Sequence, residues 1–396
     1  VNTPTMPVQV RRDGNRATVT GPFGEVFFEI DDPGIEIARD DFAVWVALAF
    51  AMSDGGTIRL DAPVDPSVAA NAHKISRIWN AWLPKSMHMV QVDAETAVLP
   101  SGAAKGRVMA FSGGIDSTYS LVRYREALDI ERLVTIHGFD YRLSDRQGFH
   151  RLVEKNRAIA SAMNTRLTVV RTNLFVLASP WRFTHVIGLA AILWLFTKPY
   201  GGGLFSADLA RHEDFLNFPY GTNGVTNRLF GGSDFRVDPL GDDVTRPEKV
   251  AAVLARPDLA PLVTLCPKAQ TNGQNCGRCD KCLLGKLICL AVADRARPIF
   301  ADDELTNDAF RQIEKGKRLD FRQAIFRDIH QIALDRGNPD LARRIASMFV
   351  ANRKLKHQRD VPPHWWRINL NLRNRLGLRK GRHARSRAQR RGGNGS

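Results

Sequence analysis

Residues 108–117, Val-Met-Ala-Phe-Ser-Gly-Gly-Ile-Asp-Ser, constrain this chain more than any other stretch. An apolar run, Val108-Met109-Ala110-Phe111, enters a turn of small residues, and residues 118–128 then read as a helix. A strand, a tight loop and a helix N-terminus aim several backbone N–H groups at one point, and the helix dipole adds partial positive charge there. Gly113 and Gly114 let a ligand approach the backbone closely, and Ser112 and Ser117 add hydroxyl donors. The guest this suits is a phosphate or pyrophosphate. Asp116 would repel such an anion, so its carboxylate is expected to hold Mg²⁺ or to cap the helix. For the two glycines alone, an ordinary capped strand–turn–helix is the competing explanation.

Downstream the pattern alternates between strand and helix. Strands are expected at 108–111, 133–136, 167–171 and 203–207, and helices at 145–163 and 185–197. Such alternation predicts an α/β fold with a parallel sheet covered by helices on both faces. Ligands of open parallel sheets bind outside the C-terminal strand ends. That gathers residues 112–117, 137–140, 172–173 and 206–208 around one crevice. His137 and His185 are candidates for a role there, although a lone histidine is more often a packed or capping residue. Residues 212–238, rich in Gly, Asn and aromatics, read as a binding loop or as an insertion.

Before this domain, residues 1–105 read as a separate α+β unit. It has a hairpin broken at Asp13-Gly14-Asn15, strands at 25–30, 34–38, 57–60 and 89–92, and helices at 41–52 and 66–82. After it, residues 301–350 read as a helical appendage. Net charge is +16, of which residues 351–396 contribute +13. This tail is too basic and too poor in apolar residues to build a core. It suits RNA phosphates or an acidic protein partner, or serves only solubility. The longest apolar run, 186–196, is too short to span a bilayer. Val1-Asn2-Thr3 carries no signal-peptide pattern, so a cytoplasmic location is expected. The pattern says nothing of oligomeric state.

All five cysteines fall between Cys266 and Cys289. Cys276, Cys279 and Cys282 form a CxxCxxC run, and Cys266 lies upstream. Four thiolates so spaced can close a tetrahedron around Zn²⁺, with an iron–sulfur cluster as the rival. Cys289 falls on the apolar helix 283–293 and reads as a packed thiol.

The string Ser112-Gly113-Gly114-Ile115-Asp116-Ser117 resembles the SGGxDS signature of the PP-loop ATP pyrophosphatase superfamily, of adenine nucleotide alpha hydrolase-like fold. Together with the cysteine run, it is similar to the 7-cyano-7-deazaguanine synthase branch, over about residues 106–300. The resemblance implies an ATP-dependent ligase with zinc on Cys266, Cys276, Cys279 and Cys282. Such an enzyme adenylates a carboxylate or amide with release of pyrophosphate, for attack by ammonia or an amine. It implies ATP contacts from Phe111, Ser112, Gly113, Gly114, Asp116, Ser117 and His137, with Asp116 on the Mg²⁺ side. That branch has a Thr-Lys-x-Glu-Ile-like helix start whose basic residue binds phosphate. Here the string is Thr245-Arg246-Pro247-Glu248-Lys249, so Arg246 takes that place, and Asp116, Ser117 and Arg246 are the expected catalytic set. The extra N-terminal, loop and tail segments leave the acceptor open: a queuosine-type deazapurine acid, another small carboxylate or a macromolecule. A sulfur-transferring RNA modification enzyme of the same superfamily and a non-catalytic nucleotide- and zinc-binding module are the other readings.

Overall fold

The computed structural model describes residues 4–98, 106–178, 181–266, 275–315 and 323–358. The chain opens with the expected hairpin, β1 (Thr5–Asp13) and β2 (Arg16–Gly21), and β3 (Gly24–Ile30) extends it antiparallel. Then come α1 (Asp41–Ala51), β4 (Gly56–Leu60), α2 (Pro66–Trp82) and β5 (Val90–Asp93). Asp65 caps α2: its carboxylate accepts from the N–H groups of Ser67 at 2.7 Å and Val68 at 3.3 Å. Residues 34–38, expected as a strand, join no ladder. A turn in which the Asp32 carboxylate accepts from Gly34 N–H precedes them, and only Ile35 and Ile37 plug into the core.

The second part runs β6 (Arg107–Ala110), α3 (Ile115–Tyr124), β7 (Ile130–His137), α4 (Arg146–Ala162), β8 (Arg166–Thr172), α5 (Leu174–Leu177) and α6 (Trp181–Leu193). It continues with β9 (Gly202–Ser206), α7 (Asp214–Asn217), β10 (Arg236–Leu240), α8 (Arg246–Leu254) and α9 (Asp280–Ala293). Among the described residues three helices follow: α10 (Asn307–Lys315), α11 (Gln323–Asp335) and α12 (Pro339–Gln358).

All ten strands form one sheet, in the order β10-β9-β6-β7-β8-β3-β2-β1-β4-β5. Most neighbours are parallel; the antiparallel pairs are β8–β3, β3–β2 and β2–β1. The chain leaves β6 towards β7 and β8 on one side, then crosses back to place β9 and β10 on the other. The loops after β6 and β9 therefore diverge at a topological switch point, where open α/β sheets leave room for a ligand.

The sequence boundary near residue 105 does not divide this sheet. β3 pairs with β8, which would otherwise be an exposed edge. Asn173 clamps the join: its side chain accepts from Phe27 N–H and donates to Glu25 O, both at 2.9 Å. One apolar core also runs through both parts. It includes Phe28, Trp45 and Trp79 from the first and Val186 to Phe196 from the second. Helices α1 and α6 are buried nearly all round, which explains why neither shows a polar face. A charged knot reinforces the seam: buried Arg39 pairs with Asp41 and Asp234 at 2.8 Å and with Asp65 at 3.6 Å.

Val1–Ala346 make one compact unit, and a second begins at Ser347. The basic run 359–396, with Trp365-Trp366, lies outside the described residues. Among the described residues no helix is long and apolar enough to cross a membrane.

Candidate functional site

The loop after β6 is built as a cradle. Gly113 has φ 71°, and a Cβ there would lie 2.0 Å from Asn156 Oδ1, so only glycine fits. The carbonyls of Phe111 and Gly113 are tied back, accepting from Thr135 Oγ1 at 2.9 Å and Thr264 N–H at 2.8 Å. Ser112 Oγ and Ser117 Oγ lie 3.2 Å apart, and Ser117 Oγ donates to Gly114 O at 3.2 Å. Gly114 is the N-cap of α3 and offers no side-chain cap. The first-turn N–H groups of a helix have no intrahelical acceptor, so those of Ile115, Asp116 and Ser117 face the mouth of the loop as a partial positive charge.

Asp116 is not the helix cap. One carboxylate oxygen accepts from an Arg246 Nη at 2.7 Å, and the other, Oδ1, lies 3.7 Å from Lys249 Nζ. The same Arg246 nitrogen also bonds Asp208, which follows β9. Arg246 and Lys249 sit one turn apart at the start of α8. Thr245 and Glu248 cap that helix reciprocally: Thr245 N–H donates to Glu248 Oε2 at 2.8 Å. Lys249 is fully buried and donates to Ala207 O at 2.9 Å. Burial pushes its pKa down against the raising pull of Asp116. Two carboxylates and two cations thus close on one another beside the loop. Within this set, Asp116 Oδ1 and Arg246 Nε are buried with no hydrogen-bond partner.

Asp116, Asp208 and Arg246 line a cleft of about 290 Å³, with Lys249 buried behind them. Its walls include Phe111, Val134, Ile136, Phe139, Tyr141 and Leu152 on the β7 side, and Leu284 and Ile288 from α9. His185, Phe205, Tyr220 and Thr222 close the opposite side. Burial pushes the Tyr141 phenol up to about 12, so it remains a neutral donor. Asp140 and Lys281 face each other across the rim at 3.8 Å.

The structure brings Phe111, Ser112, Gly114, Asp116, Ser117 and Arg246 to this cleft. Gly113 shapes the loop from behind. His137 is not among the lining residues. It stacks on Phe149 (4.1 Å, 6°), its Nε2 lies 3.2 Å from Arg142 O, and burial lowers its pKa. His185 does line the cleft and shares a 3.1 Å hydrogen bond with Thr222 Oγ1. Thr172 and Asn173, expected in the crevice, are spent on the β8–β3 join. The segment 212–238 folds back on the body: Asn71 donates to Gly231 O at 3.0 Å, and Ser233 N–H donates to Asp65 at 2.8 Å. Lys249 is a charged group of this cluster that the sequence did not single out, whereas Asp208 lies in the crevice where residues 206–208 were expected. The visible signal for Lys249 was its i+3 spacing from Arg246, which puts both on one helix face.

Behind Asp208, the Glu213 carboxylate accepts from Ala210 N–H at 2.8 Å with one oxygen. Its other oxygen and Asp328 Oδ2 on α11 are both buried without hydrogen-bond partners. Burial first, then the facing Glu213 and the nearby Glu248, pushes the Asp328 pKa up to about 7. The folded state therefore prefers the protonated acid. That stability is fully present below the unfolded value of about 3.9 and is lost as pH rises towards 7. Asp328→Asn, which imitates the protonated form, should flatten the fall in melting temperature between pH 5 and 8. An unchanged fall in the variant would assign that pH dependence to other groups.

The four cysteines meet at the N-terminus of α9. Sγ separations are 3.5 Å for Cys266–Cys276, 3.4 Å for Cys266–Cys279 and 3.7 Å for Cys276–Cys282. All four sulfurs lie within 4.8 Å of one another. A tetrahedral ion with metal–sulfur bonds of about 2.3 Å needs sulfur–sulfur edges of roughly 3.8 Å, so the set could hold a metal such as zinc. Hydrogen bonds between the thiols push Cys279 down and Cys282 up. Cys289 stands apart on α9, buried, its thiol pushed up to about 12 by burial. Because α9 also supplies Lys281, Leu284, Gly285 and Ile288 to the cleft, the cysteine cluster anchors one of its walls.

No protein-family model matches the chain, and neither does any curated protein or solved structure.

Proposed function

We propose that this chain is an ATP-dependent adenylating ligase with a PP-loop nucleotide site, related to 7-cyano-7-deazaguanine synthase. One observation carries the reading. Asp116 Oδ1 and Arg246 Nε, of opposite charge, are buried without hydrogen-bond partners beside an uncapped helix N-terminus, at one end of a cleft. Buried polar atoms are rarely left unpaired, and a metal–phosphate pair would satisfy both at once.

In this reading the loop N–H groups, the Ser112 and Ser117 hydroxyls and Arg246 bind the ATP phosphates, Arg246 through its guanidinium fork. Asp116 and Asp208 are the carboxylates that would hold Mg²⁺, which neutralises charge on the departing pyrophosphate when bound. The apolar walls at Val134, Ile136, Tyr141, Leu284 and Ile288 suit a purine base and exclude water.

An acceptor carboxylate attacks the α-phosphorus. The new P–O bond forms as the α–β bridging bond breaks, and pyrophosphate leaves with its electron pair. AMP on the acyl oxygen is a far better leaving group than oxide. Ammonia or an amine then adds to the carbonyl carbon, AMP departs, and the nitrogen gives up a proton. A second activation, in which the amide oxygen takes AMP from another ATP as pyrophosphate leaves, would yield a nitrile when AMP departs with that oxygen and the nitrogen gives up both its protons. No protein nucleophile is needed; the chain positions the reactants and stabilises charge.

Zinc on the four cysteines would hold α9 against the cleft. One shared tetrahedral ion suits sulfurs this close, whereas an iron–sulfur cluster interposes several irons and sulfides between its thiolates. The sulfur-transfer reading requires an accessible cysteine for a persulfide or an iron–sulfur cluster. Four of the five are gathered in the cluster and Cys289 is buried, which favours C–N bond formation. Reduced cysteines suit a reducing compartment such as the cytoplasm. The basic tail is the segment suited to RNA or an acidic protein.

The test is incubation with ATP, Mg²⁺, ammonia and 7-carboxy-7-deazaguanine, reading pyrophosphate release and product mass. Amide or nitrile product supports the reading. Nucleotide binding without pyrophosphate release, with that acid and a panel of other carboxylates, would replace it by the non-catalytic module.

A further inference from the structure

Nothing in the adenylation chemistry above calls for a second cation at Lys249. Lys249 is nonetheless one of the most completely buried side chains of the protein. An ammonium is not kept out of water without a reason, because its desolvation must be offset by partners. Its two partners are Ala207 O at 2.9 Å and Asp116 Oδ1 at 3.7 Å. The first is an ordinary anchor that a smaller donor could replace. The second is a carboxylate oxygen that accepts no hydrogen bond, the atom best placed to meet an incoming cation. Lys249 thus holds positive charge beside the place where a divalent ion would go, while Arg246 neutralises the other oxygen of the same carboxylate at 2.7 Å.

We infer that Lys249 is a positioning residue that makes divalent-cation binding depend on nucleotide. Its charge suppresses cation entry to Asp116 in the free protein, and phosphate negative charge removes that suppression. Asp116 and Asp208 supply two negative charges, which Arg246 and Lys249 balance, and Glu213 adds a further negative charge near Lys249. A bare divalent ion would leave this cluster net positive in a poorly solvated setting. The same ion with a polyphosphate would not. The inference rests on the nucleotide site proposed above, and its test separates the two.

Mn²⁺ serves as the probe, its binding followed by electron paramagnetic resonance with the full-length protein, alone and with a non-hydrolysable ATP analogue. Wild type should bind Mn²⁺ weakly alone and at least about ten-fold more tightly with the analogue. Lys249→Met, close in length and apolar, should bind Mn²⁺ alone at least about ten-fold more tightly than wild type and lose most of the nucleotide dependence. Lys249→Arg, which keeps the charge, should behave like wild type. Asp116→Asn should remove the tight binding in the Lys249→Met background. If Lys249→Met binds Mn²⁺ no better than wild type, or if Lys249→Arg gains as much as Lys249→Met, charge at Lys249 does not control cation entry. If wild type binds no Mn²⁺ even with the analogue, the nucleotide site falls and the inference with it. Should Lys249→Met fold poorly by circular dichroism, Lys249→Gln provides the same neutral comparison with a donor retained for Ala207 O.

Discussion

Asp116→Ala should lower ATP-dependent pyrophosphate release by at least about 10³-fold, the scale of losing a preorganised charged group in an active site. Asp116 touches the first turn of α3, Arg246 and Lys249 together. Its removal therefore disturbs the phosphate loop and both cations at once. The substitution should also cost stability, by about 3–5 kcal/mol, because it takes from the buried Lys249 ammonium the carboxylate it is paired with. Lost activity in the single variant would then be ambiguous. The double substitution Asp116→Asn with Lys249→Met removes both charges of the buried pair and should recover most of the stability while staying inactive. The two sites are in contact, so their effects on melting temperature should be strongly non-additive. Activity that returned along with stability would remove Asp116 from the chemistry. Pyrophosphate release unchanged in Asp116→Ala would do so more directly.

Cys279→Ala should release the metal and lower the melting temperature. Structural zinc binding is coupled to folding, with apparent free energies of about 10–16 kcal/mol in small zinc domains. Here the cluster fixes only the start of α9, so the loss should be a fraction of that, on the order of several kcal/mol. Its effect should reach the cleft, since Lys281 and Leu284 lie within one turn of Cys282. Elemental analysis should find one zinc per chain in wild type and none in the variant, and a strong chelator should reproduce the variant's melting curve. Iron with a brown colour would replace zinc by a cluster. An unchanged melting curve in metal-free protein would end the structural role of the site.

Much of the element order was legible because local chemistry and tertiary packing agree. Pro66 follows the Asp65 cap and starts a helix with one apolar face, and α2 spans Pro66–Trp82 as the pattern implies. Asp13-Gly14-Asn15 turns the first hairpin for the same reason. The cluster of four cysteines, which could hold a metal, was legible from spacing, because a run of two-residue gaps brings thiols together whatever surrounds them. Residues 34–38 misled: alternation at Ile35 and Ile37 looks like a strand, but no strand was free to pair there. His137 misled differently. It ends β7 at the right height for the crevice, yet its ring turns onto Phe149.

The sequence by itself determined the glycine turn between β6 and α3, the cysteine cluster and the α/β alternation, since each depends on residues close together in the chain. Only the tertiary structure decided that residues 1–105 complete the same sheet, through a β3–β8 pairing whose partners lie about 140 residues apart. It also decided what Asp116 faces. In sequence it was an aspartate near a phosphate site, either a cap or a metal ligand. In the fold, α8 brings Arg246 and Lys249 from 130 residues away and sets a buried, balanced knot of charge beside the loop. Such long-range electrostatic pairing leaves no periodicity in the chain, because it is enforced by burial rather than by neighbouring residues.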